Sequence, residues 1–285
     1  MEVNYELYKV FYTVAKLLSF SEAASELCLS QSAVSQSVKA LETKLGKTLF
    51  ARSTKKVSLT GDGELLMTHI EPAIEFIRRG EEILLDESAG RIRLAASDTI
   101  CRYFLVPYLK RFHKRHPGVH LQIINATSAG CLELLKKNKV DLIVINHTKE
   151  NHLSPYDAQV VKEFQDVFVA GSEYQDLSTK TLTFHTLQEQ GLLMLDKNST
   201  TSAFLHNEFQ KNGLDLLPAI EISSNDLLLD LAKINLGIAF VPDYCLSGND
   251  KGLFVLKTKE RLPTRQLAVV YNPLQTNELT RDLII

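Results

Sequence analysis

No run of about 18 apolar residues occurs anywhere in the 285-residue chain, so it holds no candidate for a membrane-spanning helix. The opening stretch MEVNYELYKV carries acids where a secretion signal needs cations and then an apolar core. A cytoplasmic protein is expected. Cysteine is sparse, and Cys28, Cys101, Cys131 and Cys245 lie far apart with no CxxC among them, which leaves no dithiol motif for redox or metal chemistry. Cys28 falls on the apolar side of a short helical segment and reads as a small core residue. GxSxG, P-loop, GxGxxG and HExxH patterns are all missing. His113 and His116 sit three apart on a helical segment, but Lys114, Arg115 and the lack of a neighbouring carboxylate describe a solvated helix end better than a metal site. No enzyme, catalytic residue, cofactor or metal is expected.

The net charge of -2 conceals an asymmetry. Residues 1–60 hold eight Lys or Arg against five acids, a net of +3, so the remainder must sum to -5. A basic head on an acidic body suits a module that meets phosphate attached to a domain that does not. The length is comfortable for two or three domains.

The most informative stretch is Ser19–Arg52. Phe20, Ala23, Ala24 and Leu27 recur at helical spacing, and so do Val34, Val38 and Leu41, giving two short amphipathic helices around a turn. The face opposite this second stripe carries Ser32, Ser35, Gln36 and Lys39, with Gln31 beside them as a further candidate for DNA contact. Donors and acceptors with one cation and no acid suit base edges and phosphates in a major groove. Downstream, Arg52, Lys55 and Lys56 stand among strand-like residues; they would sit beside the backbone or in the minor groove, or else in a solvated turn.

These residues closely resemble the N-terminal winged helix-turn-helix of the LysR-type transcriptional regulators. The matching pattern is Phe20, Ala23-Ala24, Ser30-Gln31, Ala33-Val34-Ser35, Leu41-Glu42, Leu45-Gly46, Leu49-Phe50, Arg52, Leu59-Thr60 and Gly63. Ser32 stands where the family usually has proline, a change in the first helical turn that should leave the fold intact. The resemblance assigns residues 1–59 to the DNA-binding domain and residues 60–88 to a linker and dimerisation helix. Leu66, Ile70, Ala73, Ile77 and Leu84 fall at heptad spacing there, and Pro72 should weaken one turn.

From Gly90 onward short strands and helices alternate, which implies α/β architecture with a mostly parallel sheet. Pro107, Val140-Asp141-Leu142, Asn225 and Leu236-Gly237-Ile238-Ala239-Phe240-Val241-Pro242 continue the likeness. It implies a two-lobed effector-binding domain over residues 89–285 with the fold of type 2 periplasmic binding proteins, lobe I about 89–161 and 266–285, and lobe II about 162–265. The expected fold class is therefore an all-α winged head, a long linker helix and a two-lobed α/β domain.

Ligands of such sheets bind beyond the strands' carboxyl ends, at helix N-termini. Three hydroxyl-rich junctions occur there: Ser97-Asp98-Thr99, Asn125-Ala126-Thr127-Ser128 and Asn198-Ser199-Thr200-Thr201. By the resemblance, Ser97, Thr99, Thr127, Ser128, Thr200 and Thr201 are effector contacts. From their positions in the chain, Ile100 and Cys101 are expected at the cleft entrance, and His147 stands at another strand end as a further candidate. The same positions also favour plain N-caps. Helix dipoles and hydroxyls suit a small anionic effector. The family implies double-stranded DNA with a dyad-symmetric operator, a homodimer or a tetramer built as a dimer of dimers, and RNA polymerase as a partner if the protein activates. The alternative is a solute-binding protein whose head only mediates assembly.

Overall fold

A computed structural model describes residues 4–52, 57–84, 90–147, 153–248 and 251–284. The chain forms two compact units, Met1–Ala89 with Lys136–Lys139, and Gly90–Leu135 with Val140–Ile285.

In the first unit, helices Tyr5–Leu17, Phe20–Glu26 and Gln31–Leu45 precede an antiparallel strand pair, Phe50–Arg52 with Val57–Leu59, and the helix Gly61–Leu84. Asn4, Ser19 and Ser30 cap the first three helices by accepting from Glu6, Glu22 and Ala33 N–H, and Gly46 ends the third in the left-handed conformation, φ 67°. The small side chains of Ala23 and Ala24 let the helices close around Phe11, Val14, Val34, Val38 and Leu41, all buried. Glu42 is turned inward, where its Oε1 accepts from Leu49 N at 2.8 Å and Phe50 N at 3.2 Å, tying the third helix to the strand pair. Gly63 is required by close approach: a Cβ there would lie 2.1 Å from the Leu49 carbonyl oxygen.

One expectation for this unit needs correction. Cys28 is exposed, because the second helix ends at Glu26 and Cys28 sits in the turn beyond it with φ 55°. The heptad stripe of the long helix is divided: Leu66 and Ile70 pack on the head's core, whereas Ile77 and Leu84 are 56% and 86% exposed. The part of that helix expected beyond Leu84 lies outside the described residues.

The second unit contains two sheets. In the first, the spatial order is His120–Asn125, Arg91–Ala96, Leu142–His147, Arg265–Tyr271, Asp157–Phe164. The first three strands are parallel, and Arg265–Tyr271 runs antiparallel to both its neighbours. In the second, the order is Ile220–Ile222, Leu192–Leu195, Ile238–Pro242, Asp166–Ala170, Phe254–Thr258, Thr181–Leu182. Both sheets are mostly parallel with one reversed strand each, because the chain crosses between them at Gln165 and again before Arg265, and each crossing inserts a reversed strand.

The apolar pattern of Phe164–Ala170 suggests one strand; it is the junction of two, Asp157–Phe164 in one sheet and Asp166–Ala170 in the other. The first of these is a mostly exposed edge strand, so it lacks the apolar signal. The helix after His120–Asn125 runs from Ser128 to Lys136, and the Thr127 hydroxyl accepts from Gly130 N and so caps its first turn. After Arg91–Ala96 the chain is helical from Asp98 to Arg115, with a π-helical stretch at Cys101–Leu105.

One core of Ile92, Leu94, Phe104, Leu193, Leu228 and Val241 runs across both lobes. Gly237 lets the strand Ile238–Pro242 enter it, since a Cβ would meet the Gly191 carbonyl oxygen at 2.5 Å.

Candidate functional site

Within the first unit, Gln31, Ser32, Gln36 and Lys39 are exposed and Ser35 is half-buried, while Val34, Val38 and Leu41 on the opposite face are buried. The periodicity therefore has a physical consequence: burying one stripe forces the other outward along a 15-residue helix. Ser32 Oγ lies 2.9 Å from the capping Ser30 Oγ, so the residue standing in the family's proline position serves the cap. Arg52 ends the first strand of the pair; its side chain, Lys55 and Lys56 lie outside the described residues.

Within the second unit, the carboxyl ends of strands from both lobes converge on a cleft of about 290 Å³. Ser97, Thr99, Thr127, Ser128, Thr200 and Thr201 line it, joined by Asp98, Asn125, Asn146, Asp196, Asn225 and Tyr244. The helices Ser128–Lys136, Thr200–Lys211 and Asn225–Lys233 begin there, and their first-turn N–H groups have no partner within the helix. Some hydroxyls also serve as caps: Ser97 accepts from Ile100 N, Thr127 from Gly130 N and Ser199 from Thr201 N. Ser128 Oγ accepts from Asn146 N. Both readings of these residues, cap and cleft wall, hold together.

Polar links span the lobes. Asn225 Nδ2 donates to Thr99 Oγ1 at 2.8 Å, and Asn146 Nδ2 to Thr200 Oγ1 at 3.2 Å. Tyr103 Oη donates to Asp226 Oδ1, and Arg102 Nη1 stands 3.3 Å from Asp226 Oδ2. Beneath the cleft, Arg265 Nη1 bridges Asp166 Oδ2 at 2.7 Å and Thr201 Oγ1 at 3.1 Å, and its guanidinium lies between the rings of Phe164 and Phe204. Both side chains of the pair are essentially inaccessible, 3% and 0% exposed. Burial pushes the Asp166 carboxyl upward against the pull of Arg265, and the close guanidinium compensates part of that desolvation.

Ile100, Cys101 and His147 do not line the cleft. Ile100 is 1% exposed, within the core, because helical rotation turns it away from Thr99. Cys101 points back to the Ala96 carbonyl. His147 closes its strand opposite Gln266, and burial lowers the pKa of its imidazole. Burial also pushes the Cys101 thiol to about 11 and the Cys131 thiol to about 12, and raises Cys245 further still; such thiols are poor nucleophiles near neutral pH. His116 does have a carboxylate, Asp282 at 2.6 Å, brought from the distant C-terminal helix. Among the described residues no group of three His, Cys, Asp or Glu could hold a metal ion.

Asn146, Asn225, Tyr244 and Arg265 escaped the sequence-level site. Asn225 carried a signal, as a polar residue heading an apolar helix. Arg265 carried another, as a charge opening an apolar strand.

A helix-turn-helix head with an exposed polar helix face, followed by a two-lobed domain with a cleft at its strand ends, defines the class of ligand-responsive DNA-binding regulators. The model of the bacterial regulatory helix-turn-helix protein, lysR family, matches residues 5–64, and that of the LysR substrate binding domain matches residues 85–284. The chain belongs to the LysR family of transcriptional regulators.

Among its relatives, the RuBisCO operon transcriptional regulator of Allochromatium vinosum is 27% identical, covering 85% of this chain and 80% of that protein. The regulator CysL of Bacillus subtilis is 24% identical over 99% of this chain and 95% of its own length. The same fold is seen in a full-length, singly substituted OxyR from Pseudomonas aeruginosa, with a TM-score of 0.69 at 18% identity, covering 100% of this chain and 96% of that one. Full-length CbnR in complex with target DNA matches with a TM-score of 0.64 at 15% identity, covering 99% of this chain and 98% of that one. Named relatives are transcriptional regulators, which sets aside the solute-binding alternative. No helix among the described residues is long and apolar enough to cross a membrane.

Proposed function

We infer that this regulator reads a dyad-symmetric operator through Gln31, Ser32, Ser35, Gln36 and Lys39, with Arg52, Lys55 and Lys56 of the wing on the backbone or in the minor groove, and that a small effector with an anionic group in the inter-lobe cleft modulates that binding. The exposed polar face of Gln31–Leu45, opposite a buried stripe, is the observation that carries the reading. Serine, glutamine and lysine can bond base edges and phosphates without repelling the duplex. Ile77 and Leu84 supply an exposed apolar strip for a second copy's helix, and two heads on paired helices would match an operator's two-fold symmetry. The working assembly is a homodimer or a tetramer made of two such dimers; as an activator it would also meet RNA polymerase. The protein acts in the cytoplasm, as a regulator and not as an enzyme. Residues 1–59, 60–88 and 89–285 serve as DNA-binding domain, linker helix and effector domain.

Effector binding would act through the links between lobes. Thr99, Asn146, Thr200 and Asn225 already bond across the cleft, so a ligand touching them changes the closure of one lobe on the other. The test is footprinting of the full-length protein on DNA flanking its own gene, at two salt concentrations, with and without metabolite pools. Protection of a dyad site that changes with a metabolite is expected. Salt-sensitive binding without sequence preference would defeat the operator reading.

A further inference from the structure

The charges around the cleft narrow the effector to one chemical class. No Lys, Arg or His among the described residues lines it, while two carboxylates do, Asp98 from lobe I and Asp196 from lobe II. Asp98 is exposed. Asp196 Oδ1 accepts from Asn198 N. Neither has a cationic partner among the described residues. Arg265, the cation beneath the floor, is paired with Asp166 and adds no net charge. A simple anion would therefore enter against two negative charges and meet only dipoles and hydroxyls.

Hydrogen-bond polarity divides the wall into two kinds of group. Thr99 Oγ1 accepts from Asn225, and Thr200 Oγ1 accepts from Asn146 and Arg265, so each hydroxyl has its own proton left to donate. Tyr244 is only 6% exposed and its Oη has no partner; burial holds the phenol protonated. Tyr244 is among the residues that line the cleft, and its hydroxyl keeps a proton to donate. Together with the starts of three helices, these donors form a seat for a carboxylate. The acceptors are complementary: Asn225 is 5% exposed with Oδ1 unpartnered, and with Asp98 and Asp196 it suits an ammonium group. An unpartnered buried acceptor and an unpartnered buried donor in one cleft can each take a bond from a group that enters it.

We propose that the effector is a small amino-carboxylate, an α-amino acid or close relative, its carboxylate held by Thr99, Thr200 and Tyr244 and its ammonium by Asp98, Asp196 and Asn225. A cleft of about 290 Å³ lies at the small end of ligand pockets and suits a molecule of that size. Because Asp98 and Asp196 belong to different lobes, an ammonium bound by both would favour closure. This inference rests on the reading of the cleft as the effector site.

The test is calorimetric titration of the full-length protein with the common L-α-amino acids, each beside the amine lacking its carboxylate and the acid lacking its ammonium. At least one amino acid is expected to bind saturably and about tenfold or more tighter than both truncated forms. The Asp98→Asn, Asp196→Asn double variant should lose about tenfold for the amino acid while binding the plain acid at least as well as before. That exchange of preference cannot come from a misfolded protein. An acid binding as tightly as its amino acid overturns the amino-carboxylate class and leaves the effector cleft standing. Undiminished amino-acid affinity in the double variant overturns the placement. No binding by any amino acid overturns the proposal, and metabolite-dependent footprints would then still support the cleft as a sensor of another class.

Discussion

The side chains proposed to face the operator and those lining the cleft are assembled in opposite ways. Gln31, Ser32, Ser35, Gln36 and Lys39 come from nine consecutive residues of one helix, and a single periodicity both buries one face and presents the other. The cleft draws on six separate segments, around residues 97–99, 125–128, 146, 195–201, 223–225 and 242–244. There a strand's end, a crossover and a helix start must each be right before two residues meet. Local periodicity can encode a surface, whereas only topology can encode a pocket of this kind. Changes on the head should therefore act residue by residue, and changes around the cleft should couple across the lobes.

The largest effect expected is on the buried pair below the cleft. Asp166→Ala leaves the Arg265 guanidinium without its carboxylate in a site that excludes water, and a loss of about 3–5 kcal/mol is expected, read from urea denaturation. Pairing Asp166→Leu with Arg265→Met should restore much of it, and strict additivity in that cycle would break the idea of a coupled cleft floor. Next is the long helix: Ile77→Asp puts a charge on an exposed apolar position, and light scattering should show the proposed oligomer dissociating at concentrations where the parent chain stays associated. Lys39→Ala should weaken operator binding by roughly tenfold and reduce the salt dependence by about one phosphate contact. An unchanged salt slope would count against the groove assignment.

Smaller changes are expected at the edges of the comparison. Glu42→Gln keeps the side chain's shape but replaces a charged acceptor of the Leu49 and Phe50 amides with a neutral one, at a cost of about 1 kcal/mol seen as a lower melting temperature. At the C-terminal helix, Asp282 bonds His116 and Arg115, and the His116 hydrogen bond, with Arg115, holds its carboxyl below the usual range. A depressed acid stabilises above its unfolded pKa and loses that contribution as pH falls through its folded value. Hydrogen exchange in Glu278–Ile284 should accelerate only below about pH 4, and Asp282→Asn should abolish that pH dependence.

Much of the head was legible because its determinants are short-range. Ser30 at the N-cap, Gly46 at the C-cap and the spacing of Val34, Val38 and Leu41 each specify local geometry. Cys28 departs from its expected place because the apolar pattern carries no warning that the helix stops at Glu26 and leaves it in a left-handed turn. In the larger unit, Ser97, Thr99, Thr127, Ser128, Thr200 and Thr201 were legible as hydroxyls following strands. Ile100 and Cys101 are adjacent to them in sequence yet face away, since successive helical residues point about 100° apart. Tyr244 gave no signal, being one more aromatic after an apolar strand.

The amino-acid sequence by itself determined where the helices and most strands form, which helix face is apolar, and which hydroxyls stand at strand ends, because caps, side-chain periodicity and glycine conformations act within a few residues. Tertiary structure decided the rest. The chain's crossings at Gln165 and before Arg265 reversed one strand in each sheet, brought Asp166 to Arg265 across 99 residues of sequence, and carried Asn225 to Thr99 across 126. Those pairings depend on burial and charge compensation between segments that no local pattern links, so the cleft's polarity exists only in the folded chain.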